Sequence, residues 1–175
     1  PVARRTDSGV TRGELVGVAW ERWGVRHSAS GAGQLLAERI QSNVINDGDG
    51  THEHPSQGLL DILTLRERFG DLKGRRSCIS GDILHSRVAR SNIWGLTKLG
   101  AEVAVCGPRS LLPTAIAAFG VRIFDRIEEA NAWAEALNVL SPKLERIPAE
   151  YIPSDRRYNS LFWMPSTSAR RPKRP

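Results

Sequence analysis

Two histidines, two acids and two glycines crowd into GDGTHEHPSQ, residues 48–57, and Pro55 within it suits the first turn of a helix. These residue types allow three kinds of chemistry. His52 and His54, with Asp49 and Glu53 beside them, could ligate a metal. A His-x-His loop with no cysteine nearby and no HExxH helix is a weak zinc pattern, however, and no metal is expected. The histidines could instead pack or cap the loop. The third reading makes His54 a donor at a helix start, where unpaired amides and a partial positive charge favour an anion. Other polar residues fall at comparable places: Arg26 in VRHSASGAG, Arg87 in GDILHSR, and Ser141 and Lys143 in LSPK.

Those places have meaning only if the intervening elements form a sheet. Ala32–Ile40 has helical spacing, Ser42–Asn46 that of a short strand, and Pro55–Phe69 sets Leu59, Ile62, Leu63 and Phe69 on one helical face before Gly70. Strands follow at Arg76–Gly81, Glu102–Cys106, Val121–Phe124 and Ala136–Leu140. Helices are expected at Ser86–Leu99, Leu112–Phe119, Ile127–Ala134 and Ser154–Phe162. Residues 1–24 have no convincing period. The alternation predicts an α/β fold with open parallel sheets flanked by helices. In such sheets ligands bind beyond the carboxyl ends of the strands, where Arg26, His54 and Arg87 lie. Two arginines and several helix starts on one edge suit a ligand with more than one anionic group, phosphate or carboxylate.

Composition narrows the partners. The net charge of the 175 residues is +6, but Arg170, Arg171, Lys173 and Arg174 contribute four of those charges within the last six residues. A short basic tail without an aromatic-rich basic face makes nucleic acid an unlikely partner. There is no signal-peptide pattern and no apolar run long enough to span a membrane. Cys78 and Cys106 sit in apolar runs, which predicts buried free thiols in a reducing, cytoplasmic setting. The chain begins at Pro1, so a fragment or processed product is expected.

HPSQGLLDILTLRERFG resembles the His-Pro-x-Gln segment of the carbamoyltransferases. RHSASGA and GDILHSRVARSN, in order and at plausible spacing, are similar to the aspartate carbamoyltransferase branch of the aspartate/ornithine carbamoyltransferase family. Weaker similarity continues through AEVAVCGPRSLLP and LERIPAEYIPSDRRYNSLF, so the resemblance covers about 25–162. It implies transfer of a carbamoyl group from carbamoyl phosphate to the α-amine of L-aspartate in pyrimidine biosynthesis, with no cofactor, metal or covalent enzyme intermediate. By position, Arg26 matches the arginine contacting carbamoyl phosphate, and His54 and Gln57 match the residues around its carbamoyl group, read here as neutral donors. Arg87 matches an arginine holding a carboxylate of aspartate. Parts of two half-domains follow: residues 1–70 a remnant of the carbamoyl-phosphate domain and 71–162 an incomplete aspartate domain. Residues 163–175 read as a disordered basic tail. A homotrimer with sites at subunit interfaces is implied, with other pyrimidine-pathway subunits as further partners.

The chain departs from that family at both ends. The Ser-x-Arg-Thr phosphate motif expected upstream of Arg26 is absent, Arg5-Thr6 being a poor imitation. Ser8 and Arg12 match weakly the serine and lysine of the loop that reaches a neighbouring subunit's site. In NVLSPKLER a second aspartate-binding arginine falls at Ser141 and a glutamine at Lys143, and serine cannot supply a bidentate cation. The expectation is a chain truncated or degenerate at both ends. The alternative to the enzyme is an inactive homologue with a structural or assembly role.

Overall fold

The computed structural model describes the backbone of residues 2–6 and all of residues 22–140. The weak matches Ser8 and Arg12, the positions Ser141 and Lys143, the helix expected at Ser154–Phe162 and the basic tail lie outside the described residues.

Two parallel sheets organise the chain. In the first, β1 (Val2–Thr6), β2 (Arg22–His27) and β3 (Asn43–Asp49) lie in the order β1-β2-β3, with α1 (Ala32–Ala37) between β2 and β3 in sequence. After α2 (Pro55–Phe69) comes the second sheet: β4 (Arg76–Ser80), α3 (Arg87–Lys98), β5 (Glu102–Cys106), β6 (Arg122–Phe124), α4 (Ile127–Trp133) and β7 (Ala136–Val139). Its strand order is β6-β5-β4-β7, every pair parallel. The α/β class read from the alternation is the fold observed. Among the described residues no helix is long and apolar enough to cross a membrane.

The core sits in the second sheet because β4 and β5 are covered on both faces, as central parallel strands are. Ile79, Val103 and Val105 point to one face and pack with Ile93 and Leu96 of α3. Cys78, Ala104 and Cys106 point to the other, where Ala130 of α4 covers them. Both cysteines are buried and free, as expected. Burial foremost pushes the Cys78 thiol up to about 12 and the Cys106 thiol up to about 11, so neither is a nucleophile at neutral pH.

α2 lies against α3 through two glycines. A Cβ at Gly58 would stand 3.0 Å from the Ser91 Cβ, and one at Gly95 would stand 2.5 Å from the Ile62 Cδ1. Hydrogen in place of a methyl group at these positions lets the two helices approach closely, and the approach carries the start of α2 to the start of α3. The buried face of α2 differs from the expected stripe. Ile62, Leu65 and Phe69 pack on the core, whereas Leu59 and Leu63 are 67% and 54% exposed. Spacings of four and three from Gly58 define the inner face, and Leu59 and Leu63 fall to one side of it.

Two further expectations need correction. Leu112–Phe119 is not an α-helix but follows a 3₁₀ turn at Arg109–Leu111 and ends in a second at Ile116–Phe119. Leu112, before Pro113, is extended (φ −106°, ψ 132°) and so stands outside any helix, and left-handed Gly120 (φ 70°) ends the segment after the second 3₁₀ turn. Val2–Thr6 forms a strand that its sequence, VARRT, did not betray.

Candidate functional site

One cavity of about 340 Å³ opens between the two sheets, and Arg26, His54, Gln57 and Arg87 all line it. They arrive from three directions. Arg26 comes from the end of β2, His54 and Gln57 from the start of α2, and Arg87 is the first residue of α3. Helix starts supply two of the walls. Ser86 caps α3 by accepting from the Ala89 amide, and the His54 amide donates to the Ser91 hydroxyl at 2.9 Å, tying the two helix starts together.

His54 is buried and is itself the N-cap of α2. Its Nδ1 accepts from the Gln57 amide at 3.4 Å. A backbone N–H can only donate, so the ring proton belongs on Nε2, leaving that nitrogen as a donor. The Ser56 hydroxyl lies 3.2 Å from the same Nδ1 but gives its proton to Asp47 at 2.8 Å. Burial foremost, then the positive charges of Arg87 and Arg26, hold His54 below the ordinary value of 6.5 against the opposing pull of Asp47 and Asp61. It is therefore a neutral N–H donor near pH 7. Since the unfolded imidazole binds its proton more readily, the linked stability is fully present above the unfolded value. It is lost as pH falls from there towards the lower native value. An NMR titration of the His54 ring protons should give a midpoint below 6.5; a midpoint at or above that value contradicts this environment.

Asp49, read from sequence only as a possible ligand neighbour, organises the quoted loop. It is buried and accepts from Asn46 Nδ2, the Gly31 amide, His52 Nδ1 and the Glu53 amide. Burial pushes its carboxyl up, but these four hydrogen bonds outweigh that and hold it below the usual range. His52 is thereby turned to Asp49, away from the role of His54. Among the described residues no group of three or more His, Cys, Asp or Glu side chains is placed to hold a metal.

Arg87 lies over the backbone of β3. Gly48 has φ +109°, and a Cβ there would stand 2.6 Å from the Arg87 Cζ. Only glycine both adopts that backbone and leaves space for the guanidinium. Beside it, Asp82 accepts from the His85 amide at 3.1 Å and faces His85 Nδ1 at 3.0 Å, and both residues line the cavity. This pair does not stand out in the sequence, although its i, i+3 spacing ahead of a helix is a usable signal. Nor do Asp61 and Asn138, which also line the cavity.

The family match includes Arg26, His54 and Gln57. Residues 16–67 match the family model for the aspartate/ornithine carbamoyltransferase carbamoyl-P binding domain. Over 146 residues, 83% of this chain, the sequence is 70% identical to the aspartate carbamoyltransferase catalytic subunit of Gemmatimonas aurantiaca. The chain resembles the aspartate/ornithine carbamoyltransferase family. It covers 45% of that relative, so it spans about half the length of the curated relatives it matches. Among solved structures, the aspartate transcarbamoylase of Trypanosoma cruzi with aspartate and phosphate superposes with a TM-score of 0.65 at 25% identity, over 76% of this chain and 49% of that one. The ornithine carbamoyltransferase of Thermus thermophilus gives 0.67 at 25% identity, over 82% and 47%.

Proposed function

We propose that the cavity binds carbamoyl phosphate and L-aspartate and transfers the carbamoyl group to the α-amine, giving N-carbamoyl-L-aspartate and phosphate. The observation that carries this is the convergence of Arg26, His54, Gln57 and Arg87 on one cavity. Arg26 takes the phosphate, a bidentate partner for a guanidinium. His54 Nε2–H donates to the carbonyl oxygen as negative charge grows on it in the tetrahedral intermediate. Arg87 holds a carboxylate of aspartate, so that the amine meets the carbamoyl carbon already oriented. The amine nitrogen bonds to the carbamoyl carbon, the bond from that carbon to the phosphate oxygen breaks with its electron pair passing to phosphate, and the departing phosphate takes the amine proton.

The match to a carbamoyl-P binding domain over residues 16–67 supports assigning residues 1–70 to the carbamoyl-phosphate half and 71–162 to the aspartate half. By the family likeness, a homotrimer in the cytoplasm, with other pyrimidine-pathway subunits as partners, belongs to the same proposal. In that assembly Ser8 and Arg12 would reach a neighbouring site, and Ser141 and Lys143 would occupy weakened aspartate-binding positions.

The test is direct. The purified full chain, given carbamoyl phosphate and aspartate, should form carbamoyl-aspartate at a rate proportional to protein and dependent on both substrates. Absence of product at high protein concentration would sink the enzymatic reading in favour of an inactive homologue with an assembly role.

A further inference from the structure

Asp61, one turn beyond Gln57 on α2, gathers three amides. Its carboxylate accepts from Gln57 Nε2 at 2.9 Å, from Asn92 Nδ2 of α3 at 2.6 Å and from Asn138 Nδ2 of β7 at 3.1 Å. A carboxylate has only lone pairs to offer, so all three amides must turn their nitrogens towards it. The cost is visible at Asn92, whose Oδ1 is buried without a hydrogen-bond partner. An orphaned acceptor is uncommon and calls for an explanation.

The same constraint acts on Gln57. The carbonyl oxygen, which cannot pair with the Asp61 carboxylate, is thereby the acceptor available to the cavity that both residues line. Gln57 thus presents an acceptor, not the donor that its sequence suggests. An acceptor beside the bound acyl group needs an N–H opposite it. A carbamoyl group has one; an acetyl group, of nearly the same shape, has a methyl.

We infer that Asp61 is a positioning residue that sets acyl-group specificity: by orienting Gln57 it makes the cavity select carbamoyl over acetyl donors. The inference rests on the carbamoyl-phosphate reading above. His54 and Arg26 serve the carbonyl oxygen and the phosphate, which both donors share. Discrimination therefore falls to Gln57, and through it to Asp61, Asn92 and Asn138.

A pair of unreactive analogues isolates this effect. Phosphonoacetamide and acetonylphosphonate differ only in NH2 against CH3, and titration calorimetry with the full chain gives both affinities without turnover. The chain should bind the amide about tenfold more tightly, as one satisfied acceptor allows. In Asp61→Asn the side chain can present either group and Gln57 is released, so the preference should fall to about threefold or less. Gln57→Leu should lose it as well, which keeps the test decisive if the Asp61 variant does not fold. Weaker binding of both analogues with an unchanged ratio would make Asp61 merely structural and overturn the inference. Equal binding of the two by the unsubstituted chain would also overturn it, leaving the carbamoyl-phosphate reading intact. Binding of neither would sink that reading and the inference together.

Discussion

Replacing His54 by alanine lowers turnover by about two to three orders of magnitude while changing phosphate affinity little. The magnitude follows from the loss of one preorganised donor to a developing oxyanion, about 2.7–4 kcal/mol of barrier. Phosphate affinity is spared because the proposed mechanism gives that role to Arg26, which lines the cavity from β2 rather than from the start of α2. His54 is also the N-cap of α2, so His54→Ala carries a second effect, about 1 kcal/mol of stability. His54→Asn separates the two. Asparagine is a good cap but is too short to reach a ligand, so that variant should keep its stability and share the loss of turnover. Steady-state kinetics with a denaturation curve on each variant check this. A change confined to KM would remove His54 from the chemistry.

Gly48→Ala should disable aspartate use from a residue that touches no substrate. The new methyl would stand 2.6 Å from the Arg87 Cζ, and the guanidinium is the movable partner. A displacement of about 1 Å at an orienting residue can cost about a hundredfold, which should appear in kcat/KM for aspartate. The positive φ adds about 1–3 kcal/mol of backbone strain. Gly70→Ala is the control. Gly70 also has a positive φ, +74°, but nothing stands within 4 Å of its would-be Cβ. It should lower stability and leave aspartate kinetics alone. Equal kinetic losses in the two variants would show that strain, not displacement of Arg87, is responsible.

How much of this was legible in sequence varies with the range of the interactions involved. Pro55–Phe69 and Glu102–Cys106 have the bounds read from pattern because each carries its own signals: a proline start and glycine stop for one, a short apolar run for the other. That Arg26, His54, Gln57 and Arg87 share one cavity was legible because they fall at a strand end and at helix starts within recognisable motifs. Pro113 gave no warning of the 3₁₀ turns, because a proline near the start of an expected helix suits its first turn. Asp61, Asn92 and Asn138 were beyond reach. They lie inside two helices and a strand, and no local period shows that three amides converge on one carboxylate 31 and 77 residues from its more distant partners. The orientation of Gln57 depends on that convergence, so its hydrogen-bonding sense could not be read from HPSQ.

The strand order β6-β5-β4-β7 has a consequence for synthesis on the ribosome. β4 pairs with β5 soon after it emerges, but its other edge must wait for β7, and the Arg76 amide meets the Glu135 carboxylate across 59 residues of chain. At ordinary elongation rates of about 5–20 residues per second, that edge stays open for roughly 3–12 s. Only then do Asn138 and Leu140 reach the cavity wall. A nascent chain therefore holds its cavity-lining arginines and His54 before it has a closed pocket, and during that interval the exposed edge of β4 is the surface most in need of a chaperone.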